Sequence, residues 1–221
     1  MGRAPRITEL GVAYHLLNRR VMRLAMFEKD ADYQAFERVL GEGLERPDAP
    51  RLLAYCLMPN HWHLVVIAGQ QTDLSTWMQW VTVTHTHRWH NHYHTVGEGP
   101  LYQGRFKSFP VEEDAHFLTV CRYVERNALR AGLARQAEEW LWCSLACREK
   151  KLAKAGELLD DWPVDRPRGW PRTVNLPQNE QELERLRGCV RRGRPYGDAA
   201  WASRTAARLG LESTLRPQGR P

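Results

Sequence analysis

Pro59-Asn60-His61-Trp62-His63-Leu64-Val65-Val66 sets a histidine on either side of one bulky residue inside an apolar run. Met58-Pro59-Asn60 is a turn signature and residues 51–57 before it are a second apolar segment, so the two predict a β-hairpin. Residues i and i+2 of a strand share a face, so His61 and His63 can both present an imidazole nitrogen to one metal ion. Outward from this hairpin, residues 12–20 read as a first strand through Tyr14, His15, Leu16 and Leu17. Asp30 is placed to cap a helix in which Tyr33, Phe36, Leu40 and Leu44 recur at helical spacing. Thr72 or Asp73 starts a second helix with Leu74, Trp77, Met78, Val81 and His85 on one side. Residues 101–109 form the next strand, and Asp114 caps a third helix. The order strand, helix, strand, strand, helix, strand, helix predicts an α+β fold, a ferredoxin-like (split βαβ) antiparallel sheet with helices on it.

A chain of 221 residues holds one well-buried domain and an appendage. A hydrophobic fraction of 43% and nine tryptophans exclude a disordered chain over most of the length. The apolar runs are too short to span a bilayer, no charged-then-apolar leader opens the sequence, and the five scattered cysteines suit a reducing compartment. The expected location is therefore cytoplasmic. The net charge of +6 is uneven: residues 185–221 hold nine arginines against Asp198 and Glu212, leaving the rest nearly neutral. A polyanion would find most of its non-specific attraction in that tail. Four prolines between residues 162 and 177 mark a linker or a wrapping segment. The expected division is a body at 1–160, a proline-rich segment at 161–179, and a small basic helical appendage at 180–221.

The second decisive stretch is Cys121-Arg122-Tyr123-Val124-Glu125-Arg126-Asn127-Ala128-Leu129-Arg130-Ala131-Gly132-Leu133. On a helix Tyr123 and Asn127 are one turn apart and share a face, which sets a phenol beside an amide oxygen. Phe117, Cys121, Val124 and Ala128 make the apolar stripe, so Tyr123, Asn127 and Arg130 are expected beside the core rather than in it. Pro-Asn-His-x-His with Leu-Val-Val, this tyrosine helix some sixty residues later, the segment at 99–108 and Trp142-Cys143-Ser144 together resemble the REP-associated, single-tyrosine branch of HUH (His-hydrophobic-His) transposases. The likeness runs over residues 10–150. One departure is Ala128, which stands where that family usually has proline and would let the helix run on or change how the turn is held.

The resemblance implies a transposase that nicks and rejoins single-stranded or hairpin DNA of REP-like repeats through a 5′-phosphotyrosine. It implies Tyr123 as nucleophile, His61, His63 and Asn127 as ligands of Mg²⁺ or Mn²⁺, and a bacterial protein that is nucleoid-associated when bound. The bond energy kept in the adduct makes ATP unnecessary. A phenol needs a nearby cation, for which Arg122, Arg126, Lys107 and the metal are all candidates. Arg105 and Lys107 alternate with Phe106 as cation and aromatic do in single-strand binders. Arg192 and Arg194 sit in an Arg-Gly-Arg-Pro run that matches minor-groove binders or a simple turn between helices, and Gly219-Arg220-Pro221 repeats part of it. These arginines, with Arg122 and Arg126, are the expected DNA contacts. His87, His90 and His94 share a helical face as solvated or DNA-facing side chains, and His116 is two turns from Tyr123. A non-catalytic hairpin-binding or regulatory protein of the same fold is the alternative function, and the sequence is compatible with a monomer or a homodimer.

Overall fold

The computed structural model describes residues 6–216, apart from the side chains of residues 153, 155 and 156. Four strands form: β1 (Ala13–Arg19), β2 (Arg51–Met58), β3 (His61–Ile67) and β4 (Lys107–Val111). They lie in the order β2-β3-β1-β4 and every neighbouring pair is antiparallel, the split βαβ plan expected from the element order. Every residue of β3 after His61 is buried, which is why the strand reads as a nearly unbroken apolar run.

The helices cover both faces. On one face α1 (Asp30–Leu44) and α2 (Leu74–Tyr93) pack Phe36, Leu40, Trp77 and Val81 onto Tyr14, Leu16, Trp62 and Leu64. On the other, α3 (Ala115–Glu125) and the short α4 (Asn127–Arg130) lay Phe117, Cys121, Val124 and Ala128 onto Ala13, Val65 and Phe109. Asp73 caps α2 by accepting from the N–H groups of Ser75 and Thr76, and Asp114 caps α3 through the N–H of His116. At α1 the cap differs from expectation. Asp30 is already the first helical residue, and the Asp32 carboxylate accepts from the N–H of Glu28 at 2.8 Å and of Lys29 at 3.1 Å.

The last strand is shorter than the sequence suggests, at Lys107–Val111 rather than 101–109. Tyr102 does bridge to Arg20, and Gln103 donates to the Arg19 carbonyl. Pairing then breaks where the Asn18 amide donates to the Gly104 carbonyl at 3.1 Å. Phe106 is consequently off the strand and buried beneath the Arg6 guanidinium at 4.0 Å, so its face is closed to a base.

Beyond the body come α5 (Ser144–Glu149), α6 (Ala153–Leu158), α7 (Trp170–Asn175), α8 (Glu180–Arg192), α9 (Ala199–Leu209) and α10 (Glu212–Leu215). These segments share the body's core. Trp170 and Val174 from the proline-rich stretch, and Leu183, Leu186, Cys189 and Tyr196 from beyond it, are buried in the cluster that holds Phe109 and Val111. Tyr196 pairs along the edge of β4, exchanging backbone bonds with Pro110 and Glu112, while Cys143 bridges to Cys56 on the β2 edge, so neither edge is left bare. Gly193 makes the turn possible: its φ is +71° and a Cβ there would lie 3.2 Å from the Ser108 carbonyl oxygen.

Candidate active site

Strand register places the histidines. Leu17 of β1 is opposite both His63 and Lys107, and Arg19 is opposite His61, so His61, His63, Lys107, Arg19 and, two residues earlier, His15 all lie on the sheet face that α3 covers. The rings of His61 and His63 are 5.0 Å apart between centroids. His61 Nδ1 is 2.6 Å from Asn60 Oδ1, and His63 Nδ1 is 2.8 Å from His15 Nε2. Both Nδ1 atoms are thus engaged and both Nε2 atoms remain available.

All three rings are held neutral. Burial lowers the pKa of His15 to about 3. For His61 it falls to about 4 through burial and then the nearby Arg19 and Arg130 charges, and His63 is held well below the usual histidine range by burial, its neighbouring histidines and the same two arginines. A neutral imidazole is the form that ligates a metal.

Tyr123 descends from α3 onto this pair. Its ring meets His63 edge-on at 5.8 Å and His15 at 6.3 Å. It is more deeply placed than its position beside the apolar stripe suggests, at 7% exposure. The reason is Arg130, whose guanidinium lies 4.3 Å over the ring and covers it. Arg126 is in αR conformation between α3 and α4, so the helical path continues and Asn127 comes one turn below Tyr123, buried, with its Oδ1 accepting from Arg130 Nη2. Asn127 Nδ2 is buried with no partner.

Glu125 fixes the height of this helix. Its fully buried carboxylate accepts from Ser144 Oγ at 2.7 Å and Trp170 Nε1 at 2.6 Å, tying α3 to α5 and α7. Burial pushes its pKa up. The Ser144 of the Trp-Cys-Ser run is therefore a brace for the tyrosine helix, and it also accepts from the Tyr55 N–H on β2.

The expected DNA contacts separate into two groups. Arg122 donates to the carbonyls of Leu176 and Pro177, and Arg126 to those of Val174 and Asn175, so both guanidiniums fasten α7 and its exit to α3 instead of facing the histidines. Arg105, Lys107 and Arg192 do come together, lining one groove with Arg6 and Arg191 between β4 and the α8–α10 unit. Arg194 is exposed on the far side of that turn, and Arg220 lies outside the described residues.

The histidines of α2 form no common site. His85 is buried, its Nδ1 2.6 Å from the Tyr102 hydroxyl, while His90 bonds Thr95 and His92 meets Lys29. His116 does not reach Tyr123; it stands 2.8 Å from Asp114 and 3.4 Å from Glu112 at the start of α3. Among the described residues Glu112, Asp114 and His116 are the one group of three acidic or histidine side chains whose ligand atoms converge, within 4.8 Å of one another. That group follows the end of β4 paired to Ala13, the opposite end of the sheet from His61. Sequence reasoning missed His15, Arg19 and Glu125. Only strand pairing reveals the first two, and the third carries no signal beyond a charge next to an apolar stripe.

No helix among the described residues is long and apolar enough to cross a membrane. No curated protein matches the chain. Among solved structures, a REP-associated tyrosine transposase bound to a REP hairpin superposes with a TM-score of 0.55 at 17% identity, covering 75% of this chain and 95% of that one, which establishes a shared fold. A candidate transposase from Deinococcus radiodurans R1 aligns at 17% identity with a TM-score of 0.40, over 57% of this chain and 93% of that one. The model of the IS200-like transposases matches residues 9–127, more than half of the chain and the whole span from β1 to Asn127, and the chain belongs to that family.

Proposed function

We propose that this transposase is a divalent-metal-dependent endonuclease and strand transferase for single-stranded or hairpin DNA of REP-like repeats, with Tyr123 as nucleophile. The observation that carries the reading is the pairing of two neutral imidazoles, each with a free Nε2, on one strand face with the Tyr123 ring 5.8 Å from His63. The donor set suits Mg²⁺ or Mn²⁺: His61, His63 and the Asn127 amide oxygen would hold the ion, and although Cys56 is opposite His63 on β2, no cysteine among the described residues converges with both histidines as a further ligand. The orphaned Nδ2 of Asn127 fits an amide whose oxygen is meant for another partner. Bound there, the ion supplies Lewis-acid neutralisation of the phosphate oxygens.

The chain's own groups do the rest. Asn60 and His15 orient the two imidazoles through their Nδ1 atoms, as carboxylates and carbonyls do for other metal-binding histidines. Tyr123 Oη attacks phosphorus, the P–O3′ bond breaks, the phenol proton is lost and the leaving 3′ oxygen takes one up, giving a 5′-phosphotyrosine and a free 3′-hydroxyl. Arg105, Lys107 and Arg192 track the backbone in their groove, and Lys107, sharing the Leu17 register with His63, joins that groove to the site.

The test is Tyr123→Phe with labelled hairpins cut from inverted repeats beside the gene, run on denaturing gels with Mn²⁺. The wild type forms a protease-sensitive covalent adduct, and the variant binds equally but forms none. An adduct in the variant refutes the assignment. Binding without any adduct in the wild type favours the non-catalytic hairpin-binding protein.

A further inference from the structure

Two guanidiniums converge on the histidine pair and neither meets a carboxylate. Arg19 is directly opposite His61, and its side chain makes no hydrogen bond or ion pair with any described residue. Arg130 spends one nitrogen on Asn127 Oδ1 and its face on the Tyr123 ring, while its Nη1 is buried without a partner. Both charges are close enough to act on His61 and on His63. Two fixed cations beside the two rings, with no acidic group among them, repel a dication and attract an anion. Arginine is the side chain whose fork matches two phosphate oxygens. The Asn127 oxygen is also occupied as long as Arg130 stays where it is.

We propose that Arg19 and Arg130 form a clamp for the phosphodiester to be cut, and that this clamp makes metal binding at His61 and His63 conditional on DNA. Resting on the function proposed above, the scheme has the phosphate arrive first. It neutralises the two guanidiniums, draws Arg130 away from Asn127 and uncovers Tyr123, and the amide oxygen is then free for the ion. Such coupling is reciprocal: whatever factor DNA adds to metal affinity, metal adds to DNA affinity.

The experiment measures unbound Mn²⁺ by its EPR signal in titrations of the full-length protein, with and without hexathymidylate, using hexathymidylate alone as the blank. Wild type should bind Mn²⁺ at least tenfold more tightly with the oligonucleotide than without. Arg130→Gln and Arg19→Gln should each bind it more tightly than wild type when DNA is absent, and each should lose most of the coupling. Arg130→Lys keeps the charge but not the fork, so its DNA-free affinity should stay weak. The proposal is overturned if oligonucleotide leaves the wild-type affinity unchanged, or if both glutamine variants keep the full coupling. Thermal unfolding checks each variant, and Arg19, which makes no side-chain bond, carries the test if Arg130→Gln fails to fold. Failure of the underlying reading looks different: Mn²⁺ affinity that is indifferent to His61→Ala with DNA present.

Discussion

Acid should unfold this protein early, through histidines buried in their neutral form. His15 and His85 are 0% and 3% exposed, and each is lowered to about 3 by burial. In the unfolded chain both would titrate near pH 6.5. As pH falls from about 6.5 toward 3 the unfolded state takes up protons that the folded state refuses, so stability is present above that window and lost progressively within it. Each group costs roughly 1.4 kcal/mol per pH unit, so the two remove about 5 kcal/mol between pH 6 and pH 4, a large share of a typical domain's ~5–15 kcal/mol. His61, lowered to about 4, acts in the same direction, while Glu125 and Glu113, whose pKa values burial raises, oppose it. Burial is the cause at His85, and a relay gives its neutral ring a partner: Trp62 Nε1 donates to the Tyr102 hydroxyl at 3.2 Å, which leaves that hydroxyl to donate to His85 Nδ1 at 2.6 Å. Urea unfolding at pH 7, 6, 5 and 4 reads the effect as a falling midpoint. His85→Gln keeps an acceptor for Tyr102 and titrates nothing, so it should flatten the slope by about 1.4 kcal/mol per pH unit. A midpoint that holds steady from pH 6.5 to 4.5, or a His85→Gln slope equal to wild type, would refute the reasoning.

His61→Ala and His63→Ala should each abolish metal-stimulated cutting, and Asn127→Ala should weaken metal affinity less, because two imidazoles remain; cleavage against Mn²⁺ concentration separates them, and a normal metal response in either histidine variant places the ion elsewhere. Removing Arg105, Lys107 and Arg192 together should lower the slope of log affinity against log salt by about 2, at roughly 0.7 per single-strand phosphate contact; an unchanged slope means that the strand does not lie in their groove. Glu125→Ala orphans Ser144 Oγ and Trp170 Nε1 in the core and should cost about 2–5 kcal/mol with a loss of cleavage beyond the loss of folded protein. Truncation after Asn179 should abolish cooperative unfolding rather than leave a stable body, since it strips Leu183, Leu186, Cys189 and Tyr196 from the core and bares the β4 edge; a sharp transition in the shortened chain would contradict this.

What could be read from the sequence is what local periodicity encodes. Two histidines at i and i+2 in an apolar run can share a strand face, and a tyrosine four residues before an asparagine can share a helix face, whatever lies around them. Their mutual approach needed only the family's order of elements. The remaining parts of the site depend on register, which no local pattern carries. His15 meets His63 because Leu17, not His15, is the residue opposite it, and a slip of one position would turn His15 to the other face. Arg19 faces His61 for the same reason. Spacing misleads most at the arginines of the tyrosine helix: Arg122, Arg126 and Arg130 are successive turns of one helical path, and all are equally plausible partners for phosphate. What separates them is the segment at 170–177, whose carbonyls engage the first two and leave the third. A stretch that reads as a proline-rich connection thus decides which cation stands over Tyr123. Because α7 is also held through Trp170 to Glu125, the wrapping segment sets both the height of the tyrosine helix and the charge beside Tyr123. On the proposed function, perturbing the proline-rich segment should therefore affect chemistry before it affects the sheet.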